Sequence, residues 1–336
     1  MSHARPDPRG VALCLASAAG FGAMAIFAKE AYSGGAGIAT LLAVRFVLAA
    51  AVLWALVLPR RSRLSRERRR PSLLPGLALG CLYAVEASAF FFALSRIDAA
   101  LAELLLYGYP ALVVVGAALL GRERLSRGRA AALALSTAGI VLVLAAGEIG
   151  NVDGLGVVAA ITSSFLYAGY VLVSDRVVSD RDPLLVSAQV VTGAALCFLA
   201  YGLSTGSIHL ALSAEAWVAI VSISLLSTVV PILAFLKGMQ LVGVGTATIT
   251  STAEPVFTVA LAMVVLGERL APVQLLGGAL VLAALALLAR PRGSRRTDAA
   301  SRRELGSPRV SGAHEPAPDA ARPAPAREDR ERTAVG

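Results

Sequence analysis

Apolar segments of about 20 residues recur along this chain from Gly10 to Ala289, and no other feature limits its fold so tightly. At about 1.5 Å of rise per residue, a helix of that length crosses a hydrocarbon core of about 30 Å. Ten candidate spans can be marked: 10–28, 37–58, 72–94, 98–119, 127–146, 153–174, 183–203, 214–236, 245–266 and 272–289. Ser95 to Ile97 alone join the third and fourth, which predicts a tight hairpin, and the ninth and tenth are similarly close. Composition agrees: 57% of the residues are hydrophobic and 16% charged, with a mean hydropathy of +0.72, against about 45–50% and about 25% in soluble domains. The first segment imitates a signal peptide. However, no A-x-A site precedes a soluble domain and more spans follow, so it reads as a retained helix.

The charges cluster between the spans. Seven arginines lie in Arg60 to Arg70, four in Gly121 to Arg129, and eleven after Ala289. Crossing at every span puts all three clusters on one side, which the positive-inside rule makes cytoplasmic. The opposite loops are poor in positive charge, with Lys29, Arg96 and Arg269 as exceptions. The expectation is a multi-pass protein of the plasma (bacterial inner) membrane with both termini cytoplasmic. The net charge of +9 reads as arginines anchored at lipid headgroups, not as a nucleic-acid footprint. The tail 290–336 holds eleven arginines, seven acids and six prolines with almost no apolar periodicity, and is expected to be disordered.

One stretch stands out, AEPVFTVALAMVVLGERL from Ala253 to Leu270. Moved back by 145 residues it falls on GYPALVVVGAALLGRERL, Gly108 to Leu125. Pro255 meets Pro110, and Glu268-Arg269-Leu270 meets Glu123-Arg124-Leu125. At a shift of 146, Gly156-Val157 meets Gly10-Val11. Alanine and leucine matches are cheap in this composition; a proline and a Glu-Arg-Leu at constant spacing are not. The pattern implies two five-span repeats. Five is odd, so the second copy enters the membrane from the opposite side, with Glu123 cytoplasmic and Glu268 and Arg269 reaching external water. Inverted repeats of this kind permit alternating access around a central site.

These two stretches give the chain its resemblance to the ten-helix members of the EamA family, in the drug/metabolite transporter superfamily. The resemblance spans about residues 10–290. It implies an all-α membrane protein with two inverted five-helix repeats around a central cavity, moving small metabolites, commonly outward. The expected organisation is a cytoplasmic N-terminus (1–9), a first repeat (10–146), an external linker (147–152), a second repeat (153–289) and the tail (290–336). In the first copy Tyr109 stands where Glu254 stands in the second, and Arg122 replaces a glycine.

An ionisable group deep in a bilayer costs at least about 2.5–3.5 kcal/mol and so faces protein or water. Arg45, Glu86, Glu103 and Glu254 lie inside spans, and Lys237 closes span eight. Glu103 falls roughly 8 Å, and Arg45 and Glu86 roughly 12 Å, below the external ends of their spans. Arg45 is expected to pair with Glu86, Glu103 or both. Two readings stay open: a structural ion pair, or a carboxylate that exchanges a proton or meets a substrate amine. Tyr107 shares a helix face with Glu103, and Tyr83 with Glu86. Tyr167 and Tyr170 on span six add aromatic surface, and Gln189 corresponds to Arg45 under a shift of 144. Pro110 and Pro255 predict kinks near mid-span. Glu254 is expected to face the cavity, and Thr246, Thr248, Thr250, Ser251 and Thr252 read as cavity-facing polarity. Gly20, Gly22 and Gly169 read as points of close helix approach.

The leading function is a secondary transporter for a small metabolite: an amino acid, a related metabolite or a drug-like compound, acting as an exporter. No Walker A motif supplies a nucleotide motor. The competing readings are an integral membrane enzyme or a channel acting on small molecules or lipid. Against an enzyme, His3, His209 and His314 lie outside the spans, and neither H-E-x-x-H nor G-x-S-x-G occurs. Cys14, Cys81 and Cys197 form no metal or disulfide pattern and read as packing residues. No catalytic residue, metal or cofactor is expected. The expected partners are the substrate and membrane lipid, and the reading accommodates a coupling proton or ion and a homodimer.

Overall fold

The computed structural model describes residues 7–60, 72–121, 127–145, 153–178 and 181–289. The arginine cluster after Arg60, the Glu123-Arg124 pair, the linker 147–152 and the tail 290–336 lie outside the described residues.

The described residues are helical throughout. The helices are α1 (Pro8–Gly22), α2 (Met24–Ser33), α3 (Ile38–Val57), α4 (Leu74–Leu94), α5 (Ala99–Leu106), α6 (Tyr109–Leu119) and α7 (Arg127–Ala145), followed by α8 (Gly154–Val178) and α9 (Pro183–Thr205). Then come α10 (Ala214–Ser224), a π-helical turn (Leu225–Val229), α11 (Val230–Ser251), α12 (Glu254–Val265) and α13 (Pro272–Ala289). Among the described residues, seven stretches are long and apolar enough to cross a membrane: Pro8–Ser33, Ile38–Val57, Leu74–Leu94, Ala99–Leu119, Gly154–Ser174, Pro183–Thr205 and Ala214–Gly243. The apolar helices Ala130–Val143, Glu254–Val265 and Pro272–Leu287 are shorter.

Local chemistry sets the helix starts. The Asp182 carboxylate accepts from the Leu185 amide and the Ser213 hydroxyl from the Ala216 amide, each filling an otherwise unpaired donor of a first turn. Pro8, Pro183 and Pro272 open α1, α9 and α13, where a missing N–H costs nothing. Large apolar side chains point outward along the bundle; Leu119 and Val264 are each 82% exposed. A hydrocarbon surround suits such a surface, whereas water does not.

The two prolines do more than kink their helices. The first break falls at Tyr107–Gly108, between α5 and α6, and the second at Thr252–Ala253, between α11 and α12, so each proline occupies the first turn of a new half-helix. A third break is Gly243, whose φ of 79° and ψ of 160° interrupt α11 and set off the piece 244–251. That conformation suits a residue without Cβ. The pieces 99–106 and 244–251, and the starts at Tyr109 and Glu254, all stand 145 residues apart. The breaks thus follow the same spacing as the sequence repeat.

Packing follows it too. α1 packs on α11 as α8 packs on α4, while α3 pairs with α9 and α7 with α13. Glycines allow the closest crossings. A Cβ on Gly193 would meet the Leu77 carbonyl and the Gly80 Cα, and one on Gly139 would lie 2.6 Å from the Gly277 carbonyl. Gly20 and Gly22 behave as expected, with Leu226 O and Glu254 O within 2.9 Å of their built Cβ positions. Gly169 does not: a Cβ there would meet nothing within 4 Å. Gly169→Ala is accordingly expected to raise thermal stability by up to about 1 kcal/mol through helix propensity, read as an increased melting temperature in detergent. Cys14 is fully buried against Gly238, whereas Cys81, within reach of Cys197, is exposed.

Candidate functional site

Where the half-helices meet, a cavity of about 140 Å³ is lined by Glu86, Glu103 and Glu254 together with Tyr83, Tyr107, Tyr109 and Tyr167. A second cavity, about 280 Å³, is lined by Arg45, Tyr83, Tyr167, Tyr170 and Thr228. The two share Phe21, Tyr83 and Tyr167. Eight of the nine side chains singled out from sequence as binding or coupling candidates thus line this pair of cavities. The ninth, Gln189, is fully buried, lines neither cavity, and packs where a Cβ on Gly76 would stand.

The breaks in the helices place these groups. Glu254 is the first residue of α12, and Tyr109, its counterpart in the first repeat, is the first residue of α6. Both line the first cavity. The absence of a Cβ on Gly22 lets α1 reach the Glu254 backbone, bringing Phe21 to the cavity wall. Tyr107 lies in the break before α6, within hydrogen-bonding reach of the Glu254 carboxylate. The aromatic rings then form a continuous line. Tyr107 meets Tyr109 at 5.8 Å, Tyr109 meets Tyr167 edge-on at 4.5 Å, Tyr167 stacks on Tyr170 at 5.8 Å, and Tyr170 leads to Tyr83 at 5.4 Å.

Arg45 does not form the expected ion pair. It is 1% exposed and has no carboxylate within 4.0 Å among the described residues. Its Nε donates to Thr228 Oγ1 at 3.0 Å, and its guanidinium carbon lies 4.8 Å from the Phe46 ring centre and 5.2 Å from that of Phe91. The π turn explains the partner. Pro231 has no N–H to offer the preceding turn, the helix widens at Leu225–Val229, and Thr228 Oγ1 donates to the carbonyl of Ile223, five residues back. Glu86 meanwhile accepts from Ser163 Oγ at 2.9 Å. The mirror contact in the other half is Ser17 Oγ donating to the Pro231 carbonyl, also at 2.9 Å.

The described side chains of the threonine-rich segment before Glu254 do not line these two cavities. Thr250 and Ser251 spend their hydroxyls on the carbonyls of Thr246 and Ala247, one turn back, and Thr246, Thr250, Ser251 and Thr252 line neither cavity. The Thr248 side chain lies outside the described residues.

Sequence reasoning missed Tyr109, Phe21, Ser163 and Thr228 as site residues. The signal for three of them was present: at a shift of 145, Tyr109 is the counterpart of Glu254 and Thr228 that of Tyr83, and at a shift of 146 Phe21 is the counterpart of Tyr167. It also missed the partners of Glu268. Its carboxylate does not simply reach water; Oε1 accepts from the Ala99 amide at 2.7 Å and Oε2 from the Ala100 amide at 3.0 Å, so it caps α5. Near it, Lys29 Nζ donates to the Ile97 carbonyl at 2.6 Å, and Arg96 pairs with Asp153 at 2.9 Å. Charge-assisted bonds of this kind are worth about 1.5–3 kcal/mol. Glu268→Ala is expected to lower the unfolding temperature in detergent by several degrees, whereas Ala at the exposed Arg269 changes stability by no more than about 0.5 kcal/mol.

The Glu268 and Arg96 contacts lie by Asp153, at the start of α8. The second cavity runs the other way, toward Ser174 near the end of α8 and Pro183 and Ser187 at the start of α9. About 30 Å of helix separates the two levels.

The model of the EamA-like transporter family matches residues 8–145 and again residues 154–290. The uncharacterized transporter YcbK of Bacillus subtilis (strain 168) is 26% identical over 287 residues, covering 82% of this chain and 91% of that one. An uncharacterized transporter of Archaeoglobus fulgidus is 27% identical over 208 residues, covering 62% and 73%. A protein known from a crystal structure is similar in fold, with a TM-score of 0.60 and 21% identity over 89% of this chain and 99% of that one.

Proposed function

Since the chain belongs to the EamA-like transporter family, and is therefore a multi-pass membrane transporter, we propose that it exports a small metabolite across the plasma membrane by alternating access. The observation that carries this reading is the pair of joined cavities, walled by broken half-helices from both repeats and by three carboxylates and five tyrosines. Intramembrane carboxylates mark substrate or proton paths by default. A site between discontinuous helices is the arrangement expected where one repeat rocks against the other.

In this reading the chain crosses ten times with both termini cytoplasmic, and α7, α12 and α13 complete the set of spans. The level of Glu268, Arg96–Asp153 and Lys29 is external and closed, and the second cavity leads toward the cytoplasm. The form described is thus inward-facing, ready to load a solute from the cell. The substrate is small and amphipathic, because charged and aromatic groups share the wall.

The test is flux through purified protein in liposomes. A carrier gives saturable rates and exchange of unlabelled for labelled solute, with candidates taken from metabolites enriched in the medium of overexpressing cells. Flux that rises linearly with concentration marks a pore, product formation marks an enzyme, and either sinks the proposal.

A further inference from the structure

Among the described residues, the first cavity is lined by three carboxylates and no basic side chain. Ser163 gives Glu86 one hydrogen bond, and Tyr107 reaches Glu254. The Glu103 side chain has neither a hydrogen bond nor an ion pair among the described residues, although it is 5% exposed and lines the cavity. An enclosed carboxylate without a partner is costly. Three in one cavity call for positive charge from outside the protein, as protons or as a cationic ligand. Arg45 offsets one of them at most: it lines the second cavity and not the first, has no carboxylate within 4.0 Å among the described residues, donates to Thr228, and lies against Phe46 and Phe91.

The rest of the wall is aromatic. Tyr83, Tyr107, Tyr109 and Tyr167 line the cavity beside Phe21 and Phe90. Ring faces attract cations, most strongly once water is excluded. A neutral solute gains little from three carboxylates. A zwitterion also needs a cationic partner for its own carboxylate; the described lining of the first cavity has none, and Arg45 in the second is already engaged by Thr228 and by the rings of Phe46 and Phe91.

We propose that the substrate is a monovalent organic cation, an ammonium group carried on an apolar or aromatic body. The ammonium sits among Glu86, Glu103 and Glu254, and the body extends past Tyr83 and Tyr167 into the second cavity. Its entry displaces a proton held among the three carboxylates, so binding releases acid and export is exchange for protons. This assignment rests on the carrier reading above and narrows it.

The probe is benzyltrimethylammonium, titrated into purified full-length protein in weakly buffered detergent near pH 7. Tyrosine fluorescence follows binding, and a pH indicator follows the released proton. The expected result is saturable binding with net proton release, no binding of the neutral isostere neopentylbenzene, and little binding of phenylalanine. Glu103→Gln is expected to weaken the probe by at least tenfold and reduce proton release. If that variant fails to fold, Glu86→Gln takes its place with the same expectation. Absence of cation binding, equal binding of phenylalanine, or wild-type binding by a folded Gln variant overturns the assignment. Saturable flux of a zwitterion or anion without cation binding does so too, yet leaves the carrier intact; only non-saturable flux of every solute, or product formation, defeats the carrier itself.

Discussion

Glu254→Gln is expected to cut solute flux through reconstituted protein by about a hundredfold or more while leaving folded yield unchanged. Gln keeps the volume and the ability to accept from Tyr107, so the α12 start keeps its shape. What disappears is the charge, and with it the only carboxylate the second repeat contributes to the described lining of the first cavity. Glu254 stands at the first position of α12, where the half-helix favours negative charge. A hundredfold corresponds to about 2.7 kcal/mol, within the few kcal/mol that one charged contact in a desolvated site commands. Initial rates at several pH values, with melting temperature alongside, are the measurement. If the Glu254→Gln protein transports at the wild-type rate, Glu254 is a structural residue and the cavity is not the transport site.

The second large effect is on folding. Gly193→Val is expected to leave almost no monodisperse protein after extraction. At this crossing of α4 and α9 the two backbones touch, and a Cβ on Gly193 lies 3.0 Å from the Gly80 Cα besides meeting the Leu77 carbonyl. No flexible side chain is there to give way, so the helices have to separate. Overpacking typically costs about 1–3 kcal/mol, and more where backbone must move. Gly193→Ala should fall between Val and wild type in yield and melting temperature. A folded Gly193→Val protein with an unchanged melting temperature would mean that α4 and α9 do not approach this closely.

Much of the fold was legible in the sequence because the bilayer simplifies the code. Apolar length marks spans, and a proline in an apolar run marks a place where the helix ladder fails. The 145-residue register holds down to the individual starts of half-helices. The cavity wall was legible for the related reason that ionisable groups inside spans have few places to go. The contacts made by those groups were not. Arg45 turns to Thr228 because a π turn moves that hydroxyl into reach, and a single added residue per turn leaves no periodic trace. Glu268 caps a helix 169 residues away in the chain. Nothing local to GERL announces that partner, since capping depends on where a distant helix happens to begin. Gln189 shows the opposite error: it meets Arg45 only at a shift of 144, whereas the 145-residue register sets Val190 opposite Arg45, and the Gln189 amide is buried against α4.

The two serine contacts have a consequence for how this chain could have changed over time. Ser163 meets Glu86, and its mirror Ser17 meets the carbonyl of Pro231, the residue standing 145 positions after Glu86. One half keeps an acid at that place and the other an imino acid that props open the turn holding Thr228. An acid placed at Pro231 is expected to return an N–H to the preceding turn, close it and release Arg45, so neither residue is a single substitution from serving as the other. Two copies of the second half joined to each other would possess Glu254 twice and neither Glu86 nor Glu103. The two halves share a register but not a chemistry, and each supplies groups that the other lacks.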